Sequence, residues 1–141
     1  IRDSYEMVER ARHEGTEFFQ ETDPPVSAFT LEKRPDVVEF VKSMMADATS
    51  AGVMTAQRAM ASRTDSTAVL AAIDVPVAVI RGADDPVVAL AESESMAKIA
   101  KDAAFVPIAN AGHLSPVEDP AAVTVAIRDL VRRASEIGDM I

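Results

Sequence analysis

The feature that most constrains the fold is a pair of short apolar segments with a helix-like segment between them. Residues 75–80 read Val-Pro-Val-Ala-Val-Ile, which is typical of a strand buried on both faces of a parallel sheet. Residues 104–108 predict a second strand, and residues 90–101 predict the intervening helix. Because Pro107 cannot donate to a neighbouring strand, the second strand should lie at a sheet edge. The pattern predicts an α/β fold with a parallel sheet.

Residues 1–73 show apolar residues at helical spacing in short stretches. One helix is predicted up to Gly15, a second begins at Pro35 and runs to Gly52, and a third covers residues 53–62. The intervening segment 23–34 follows a Thr-Asp-Pro-Pro breaker and is predicted as a loop. A short apolar pair, Phe18-Phe19, precedes that breaker. The last helix of the chain should start at Pro120, with Asp119 as its cap.

Composition excludes several classes of function. The 141 residues include 23 acidic and 14 basic side chains, for a net charge of −9, so nucleic acid and anionic membrane surfaces are poor partners. With no cysteine and two histidines, the chain offers no thiolate chemistry and few metal ligands. No apolar stretch approaches the ~20 residues of a membrane span. A neutral or apolar small molecule is the best-matched partner, and the reducing cytoplasm is the expected compartment.

Two loops carry the residues suited to chemistry. One contains Asp84 and Asp85 after the first strand, and the other contains His113 after the second strand. The carboxyl ends of parallel strands lie at the same rim of a sheet, so an aspartate can meet a histidine there. An aspartate that accepts from one imidazole nitrogen leaves the other nitrogen as a general base. Taken singly, each loop suits a structural turn better than a catalytic role, and Ser115 is predicted as a helix cap before Pro116.

These residues together resemble the end of an α/β-hydrolase-fold enzyme. In that family the penultimate strand ends in a glycine followed three residues later by the triad acid, which matches Gly82 and Asp85. The triad base follows a glycine after the last strand, which matches Gly112 and His113, 28 residues beyond the acid. The resemblance covers about residues 74–135. It implies that Asp85 and His113 are catalytic, that Asp84 is a turn residue, and that Val87 and Leu114 contact substrate.

The helical part resembles the lid of small esterases and of 3-oxoadipate enol-lactonase relatives, which stands before the acid-bearing strand. The likeness lies in the run from Gly52 to Ser66 and on into Val75-Pro76. It implies a helical lid over residues 1–73 and the C-terminal part of an α/β-hydrolase core over residues 74–141. The implied substrate is a small, mostly apolar ester or lactone, cleaved without a metal or organic cofactor.

The family's nucleophile stands in a Gly-x-Ser-x-Gly elbow, and this sequence contains none. We therefore expect an N-terminal half of the same enzyme to supply the serine, the oxyanion donors and further strands. Two strands alone leave an open sheet edge, so the chain by itself should aggregate or stay partly molten. Two alternatives remain open. The same Asp and His serve dehalogenases, carbon–carbon bond hydrolases and cofactor-free haloperoxidases, and a hydrolase-fold chain can also be a non-catalytic ligand-binding module.

Overall fold

The computed structural model describes residues 2–16 and 22–138. Five helices precede the first strand: α1 (Arg2–His13), α2 (Ala28–Lys33), α3 (Pro35–Ala46), α4 (Ser50–Ala61) and α5 (Thr67–Ala72). The remaining elements are β1 (Val77–Gly82), α6 (Leu90–Ile99), β2 (Ala103–Ile108), α7 (Ser115–Glu118) and α8 (Pro120–Gly138). The predicted order of strand, helix, strand, helix after residue 74 is confirmed. The predicted Phe18-Phe19 cluster lies outside the described residues.

The contacts of the described chain divide it into two compact units. One contains residues 2–16, 22–24 and 38–65, and the other contains residues 25–37 and 66–138. Residues 25–37 and 66–73 therefore group with the sheet. The sequence analysis instead placed the boundary between the helical lid and the core after residue 73. The assignment of the helical part as a lid stays a prediction.

The first unit is built on helix packing. Helix α1 packs against α4, and Val8 and Ala11 of α1 are buried because they lie three residues apart on one helix face. In α3, which begins at Pro35 as predicted, Val41 is buried but Met44 is 53% exposed. The apolar face of this helix is therefore narrower than the sequence indicated.

The second unit is built on two parallel strands. Strand β1 pairs with β2 in a register that sets Val77 against Ala103 and Gly82 against Ile108. Pairing begins at Val77, whose N–H donates to Asp102 O at 2.8 Å, because the preceding Pro76 has no N–H. The predicted strand 75–80 is thus displaced by two residues toward its carboxyl end. Helices α6 and α8 both pack against the two strands.

Burial along β1 differs from the prediction. Residues 77–80 are half-buried rather than buried on both faces, and only the last two residues of β1 are buried. Within the described residues the sheet has two strands, so each strand has one edge without a strand neighbour. At the carboxyl end of β2, Ile108, Ala111 and Val123 form a buried apolar cluster. The loops that follow β1 and β2 therefore begin next to a packed apolar cluster.

The predicted loop over residues 23–34 is wrong in part, because residues 28–33 form helix α2. Ser27 caps this helix: its Oγ accepts a hydrogen bond from Thr30 N at 3.0 Å, which satisfies one of the free N–H groups of the first turn. Ser27 and Thr30 are both buried. The Pro24-Pro25 pair is therefore followed by a helix, α2, which belongs to the unit that contains the sheet.

Candidate active site

Asp85 lies in a tight loop directly after β1. The loop is joined to the neighbouring strand end because Ala83 N donates to Ile108 O and Asp84 N donates to Ala111 O, at 2.8 and 2.9 Å. The Oδ1 atom of Asp85 accepts hydrogen bonds from the N–H groups of Val87 and Val88, at 2.8 and 3.0 Å. These two bonds fix the carboxylate plane and leave its second oxygen to face another group.

That group is His113. Its Nδ1 atom lies 3.1 Å from Oδ2 of Asp85. The Asp85 side chain is 7% exposed, while the His113 ring is 39% exposed. Since an ionised carboxylate only accepts hydrogen bonds, the proton of the bond belongs to Nδ1, and the ring is held in the tautomer that leaves Nε2 able to accept a proton. The two residues predicted to meet at the sheet rim do meet.

The surroundings of Asp85 keep it ionised. Partial burial raises the pKa of its carboxyl, but the hydrogen bonds from the N–H groups of Val88 and Val87 and from the His113 ring outweigh burial. The pKa of Asp85 therefore lies below its ordinary value. A carboxylate that stays negative can orient the imidazole and stabilise the imidazolium that forms when Nε2 takes up a proton.

The loop that carries His113 is held by the segment before α2. Ser27 Oγ donates to Asn110 O at 2.7 Å, and His113 N donates to Pro25 O at 3.0 Å. Asn110 adopts a left-handed backbone conformation with φ of 56°, which asparagine tolerates better than most residues. The chain therefore turns sharply out of β2 and is tied down on both sides of Gly112.

Glu118, at the end of α7, is a second attachment point for this loop. It is 4% exposed, and its Oε1 accepts from Gly112 N at 2.8 Å. Its Oε2 accepts from Ser27 N and from Thr30 Oγ1, both at 2.8 Å. These three donors satisfy a carboxylate that burial would otherwise penalise.

Arg81 holds the acid loop from inside. It is 8% exposed, and its Nη1 donates to the carbonyl oxygens of Gly82 and Ala83 at 2.6 and 2.8 Å. Its Nη2 donates to Val88 O at 3.1 Å. The Nε atom of Arg81 is buried and has no hydrogen-bond partner among the described residues. The guanidinium group thus ties together the two ends of the loop that contains Asp85.

Asp85 and His113 share a cleft of about 190 Å³. Val88, Ser93, Met96 and Ser115 also line it. The two predicted substrate contacts, Val87 and Leu114, do not line this cleft: Val87 is 60% exposed, and Leu114 is half-buried at the start of α7. Their role in binding stays a prediction.

Two sequence-based expectations are refined here. Asp84 is exposed and contributes its backbone N–H to the loop, as its predicted turn role requires. Ser115 does not cap α7. It is the first helical residue, Leu114 occupies the cap position, and no side chain caps that helix. Sequence reasoning missed the roles of Arg81 and Glu118. Arg81 reads as a charge that ends an apolar run, and Glu118 stands beside Asp119 and Pro120, so neither pattern indicates burial.

Within the described residues, no group of three or more His, Asp or Glu side chains lies close enough together to hold a metal ion. Over the same residues, no helix is both long and apolar enough to cross a membrane.

Comparison with solved structures finds clear likenesses. An esterase from Thermogutta terrifontis is 36% identical, with a TM-score of 0.86 over 94% of this chain and 50% of its own. A hydrolase from Pseudomonas aeruginosa PA01 is 29% identical, with a TM-score of 0.74 over 92% of this chain and 49% of its own. The enol-lactonase from Burkholderia xenovorans LB400 is 23% identical, with a TM-score of 0.80 over 91% and 49%. Comparison with models of protein families and with curated proteins finds no match.

The chain has the α/β-hydrolase fold. It contains the C-terminal part of that fold, with the last two parallel strands and their flanking helices. It spans about half the length of the structures that it matches.

Proposed function

We propose that this chain supplies the acid and the base of a hydrolase that cleaves small, mostly apolar carboxylic esters or lactones. The observation that carries the proposal is the 3.1 Å contact between Asp85 Oδ2 and His113 Nδ1 at the rim of two parallel strands. The 36% identity to a protein described as an esterase supports the ester class. This contact supports roles for Asp85 and His113 as an acid and a base that work with a nucleophile from another segment.

In the proposed mechanism a serine supplied by a segment outside these 141 residues is the nucleophile. Nε2 of His113 takes the serine proton as the oxygen attacks the ester carbonyl carbon, and the carbonyl electrons move onto the oxygen. Collapse of this intermediate expels the alkoxide, which receives the proton from His113. Water then repeats the sequence on the acyl-enzyme. Asp85 holds the ring and stabilises its positive charge in both halves.

A serine of this chain is a poor alternative nucleophile. Ser93 and Ser115 line the cleft, yet both are buried. Among the described residues no serine hydroxyl is hydrogen-bonded to the His113 ring. Such a bond is the signature of an activated nucleophile, and the Gly-x-Ser-x-Gly elbow that exposes a serine at a strand end is missing from the sequence.

A fluorophosphonate probe tests the proposal, because it reacts covalently with activated serines. The intact protein that contains this chain is treated with the probe and digested, and the labelled peptide is sequenced by mass spectrometry. We expect one labelled serine, located outside the 141-residue sequence, and no label in the His113→Ala variant. Labelling of Ser93 or Ser115, or labelling that persists without His113, would contradict the proposed division of roles.

The same intact protein should hydrolyse an aryl ester of a short fatty acid. If the probe labels no serine and no ester is hydrolysed, the mechanism is wrong and the ligand-binding alternative is favoured.

If the intact protein does hydrolyse the ester, substituting Val87 by threonine tests its proposed substrate contact. An added hydroxyl at an apolar contact should raise KM for apolar esters more than it lowers kcat.

A further inference from the structure

Glu118 is a buried acidic side chain that the proposed mechanism does not use. It is 4% exposed, as buried as the apolar core residues around it. Removing a carboxylate from water is costly, and replacing a buried ionic group by a well-packed apolar one is often neutral or stabilising. Stability alone is therefore a weak explanation for glutamate here. The identity of its three donors indicates a more specific role.

The three donors connect two parts of the site. One is Gly112 N, 2.8 Å from Oε1, in the residue immediately before His113. The others belong to residues 25–33, here called the α2 segment, where Ser27 N and Thr30 Oγ1 each lie 2.8 Å from Oε2. A single carboxylate thus bridges the base-bearing loop and the segment against which that loop rests.

The α2 segment in turn holds His113 directly, since His113 N donates to Pro25 O at 3.0 Å. The two sides are in close backbone contact: a Cβ atom on Gly112 would lie 2.4 Å from Ser27 N and 2.5 Å from the carbonyl carbon of Val26. The Glu118 carboxylate accepts from an N–H group on each of these two backbones, Gly112 N and Ser27 N. The position of the His113 backbone therefore depends on Glu118 from two directions.

We propose that Glu118 is a positioning residue for His113, which sets the ring for its hydrogen bond to Asp85. This inference rests on the proposed function, in which that bond prepares the base. Displacement of a catalytic group by about 1 Å can cost on the order of 100-fold in rate. Glu118 acts through the backbone of Gly112 and Ser27 and takes no part in proton transfer.

The test is the Glu118→Gln substitution in the intact protein. Glutamine has the same shape, but its amide nitrogen cannot accept a hydrogen bond, so at least one of the three donors is left unpaired. We expect kcat for ester hydrolysis to fall by about 10- to 100-fold, the scale of a misplaced catalytic group, with KM changed less than kcat. Glu92→Gln is the matched control. Glu92 only caps α6, by accepting from Ala89 N at 3.2 Å, and kcat should be unchanged.

A second variant separates positioning from stability. Thr30→Val removes one donor to Oε2 but leaves both backbone bonds of Glu118 in place. It should lower the melting temperature, as Glu118→Gln does, while the loss of kcat is clearly smaller. Equal losses of kcat in the two variants would overturn the proposal.

A spectroscopic readout is independent of turnover. The proton between Nδ1 of His113 and Asp85 should give a far-downfield proton resonance, identified by its loss in His113→Gln. We expect this resonance in wild type and, at the same position, in Glu92→Gln and Thr30→Val. In folded Glu118→Gln it should shift or vanish. An unchanged resonance in folded Glu118→Gln would overturn the positioning role. If wild type hydrolyses no ester, the proposed function fails, yet the resonances still decide the role of Glu118.

Discussion

The backbone of Gly82, at the end of β1, passes so close to Gly112 that a Cβ atom on Gly82 would lie 2.0 Å from the Gly112 carbonyl oxygen. Each glycine stands just before one member of the candidate pair: Gly82 precedes Asp85 by three residues, and Gly112 precedes His113 by one. The two loops are therefore in direct backbone contact. This contact allows side chains from separate strand ends to reach hydrogen-bonding distance.

Replacing Gly82 by alanine should separate the loops. The added methyl overlaps backbone atoms that cannot rotate away, so we expect a loss of about 1–3 kcal/mol in the free energy of unfolding and a marked loss of ester hydrolysis. Urea unfolding and initial rates of the intact protein measure the two effects. Gly52→Ala is the control, because its Cβ would lie 3.1 Å from a single side-chain atom, Thr49 Oγ1. A Gly82→Ala protein as stable and active as wild type would contradict the close approach.

Replacing Arg81 by methionine should release the acid loop. The substitution keeps much of the side-chain length but removes the donors to Gly82 O, Ala83 O and Val88 O. Buried acceptors left unpaired cost about 1–3 kcal/mol, so the variant should unfold at lower urea concentration. Arg132→Met provides a comparison, since Arg132 makes only exposed ion pairs on α8, which contribute little to stability. Equal destabilisation by the two variants would show that Arg81 has no special role.

The lowered pKa of Asp85 predicts a pH dependence of stability with a definite sign. A carboxyl whose pKa is lower in the folded than in the unfolded protein stabilises the fold fully above the unfolded value, about 3.9. That contribution is lost as the pH falls through the lowered folded-state pKa. The difference in free energy of unfolding between wild type and Asp85→Asn should therefore shrink on acidification below about pH 4. A difference that grows in acid would have the wrong sign.

The sequence predicted the meeting of Asp85 and His113, but it did not predict the residues that hold their loops in place. The apolar runs that became β1 and β2 fixed where the loops begin, and the glycine spacing that resembles α/β-hydrolases identified Asp85 and His113. These predictions depend on local pattern, since a strand end and a following turn are encoded within a few residues. The pairing of Asp85 with His113 then follows from parallel strands sharing a rim.

The α2 segment could not be placed in the same way. Two prolines predicted a loop, and nothing local shows that Ser27 N donates to Glu118, 91 residues further along the chain. Such a long-range contact is set by tertiary packing. Ser27 as a helix cap was available from sequence, because serine followed by helix-forming residues is a common start of a helix. The burial of Arg81 could not be predicted either, because the sequence shows only a charged residue at the end of an apolar strand.

The most direct test of the central claim compares two adjacent aspartates in the intact protein. Asp85→Asn removes the negative charge behind His113, whereas Asp84→Asn changes an exposed side chain and keeps the backbone N–H that bonds Ala111 O. The kcat for hydrolysis of an aryl ester, measured per active site near neutral pH, should fall by roughly 10⁴-fold in Asp85→Asn. It should change by less than about threefold in Asp84→Asn, as for most surface substitutions. Reversed severities, or an Asp85→Asn protein as active as wild type, would contradict the proposed roles of Asp85 and His113 as acid and base.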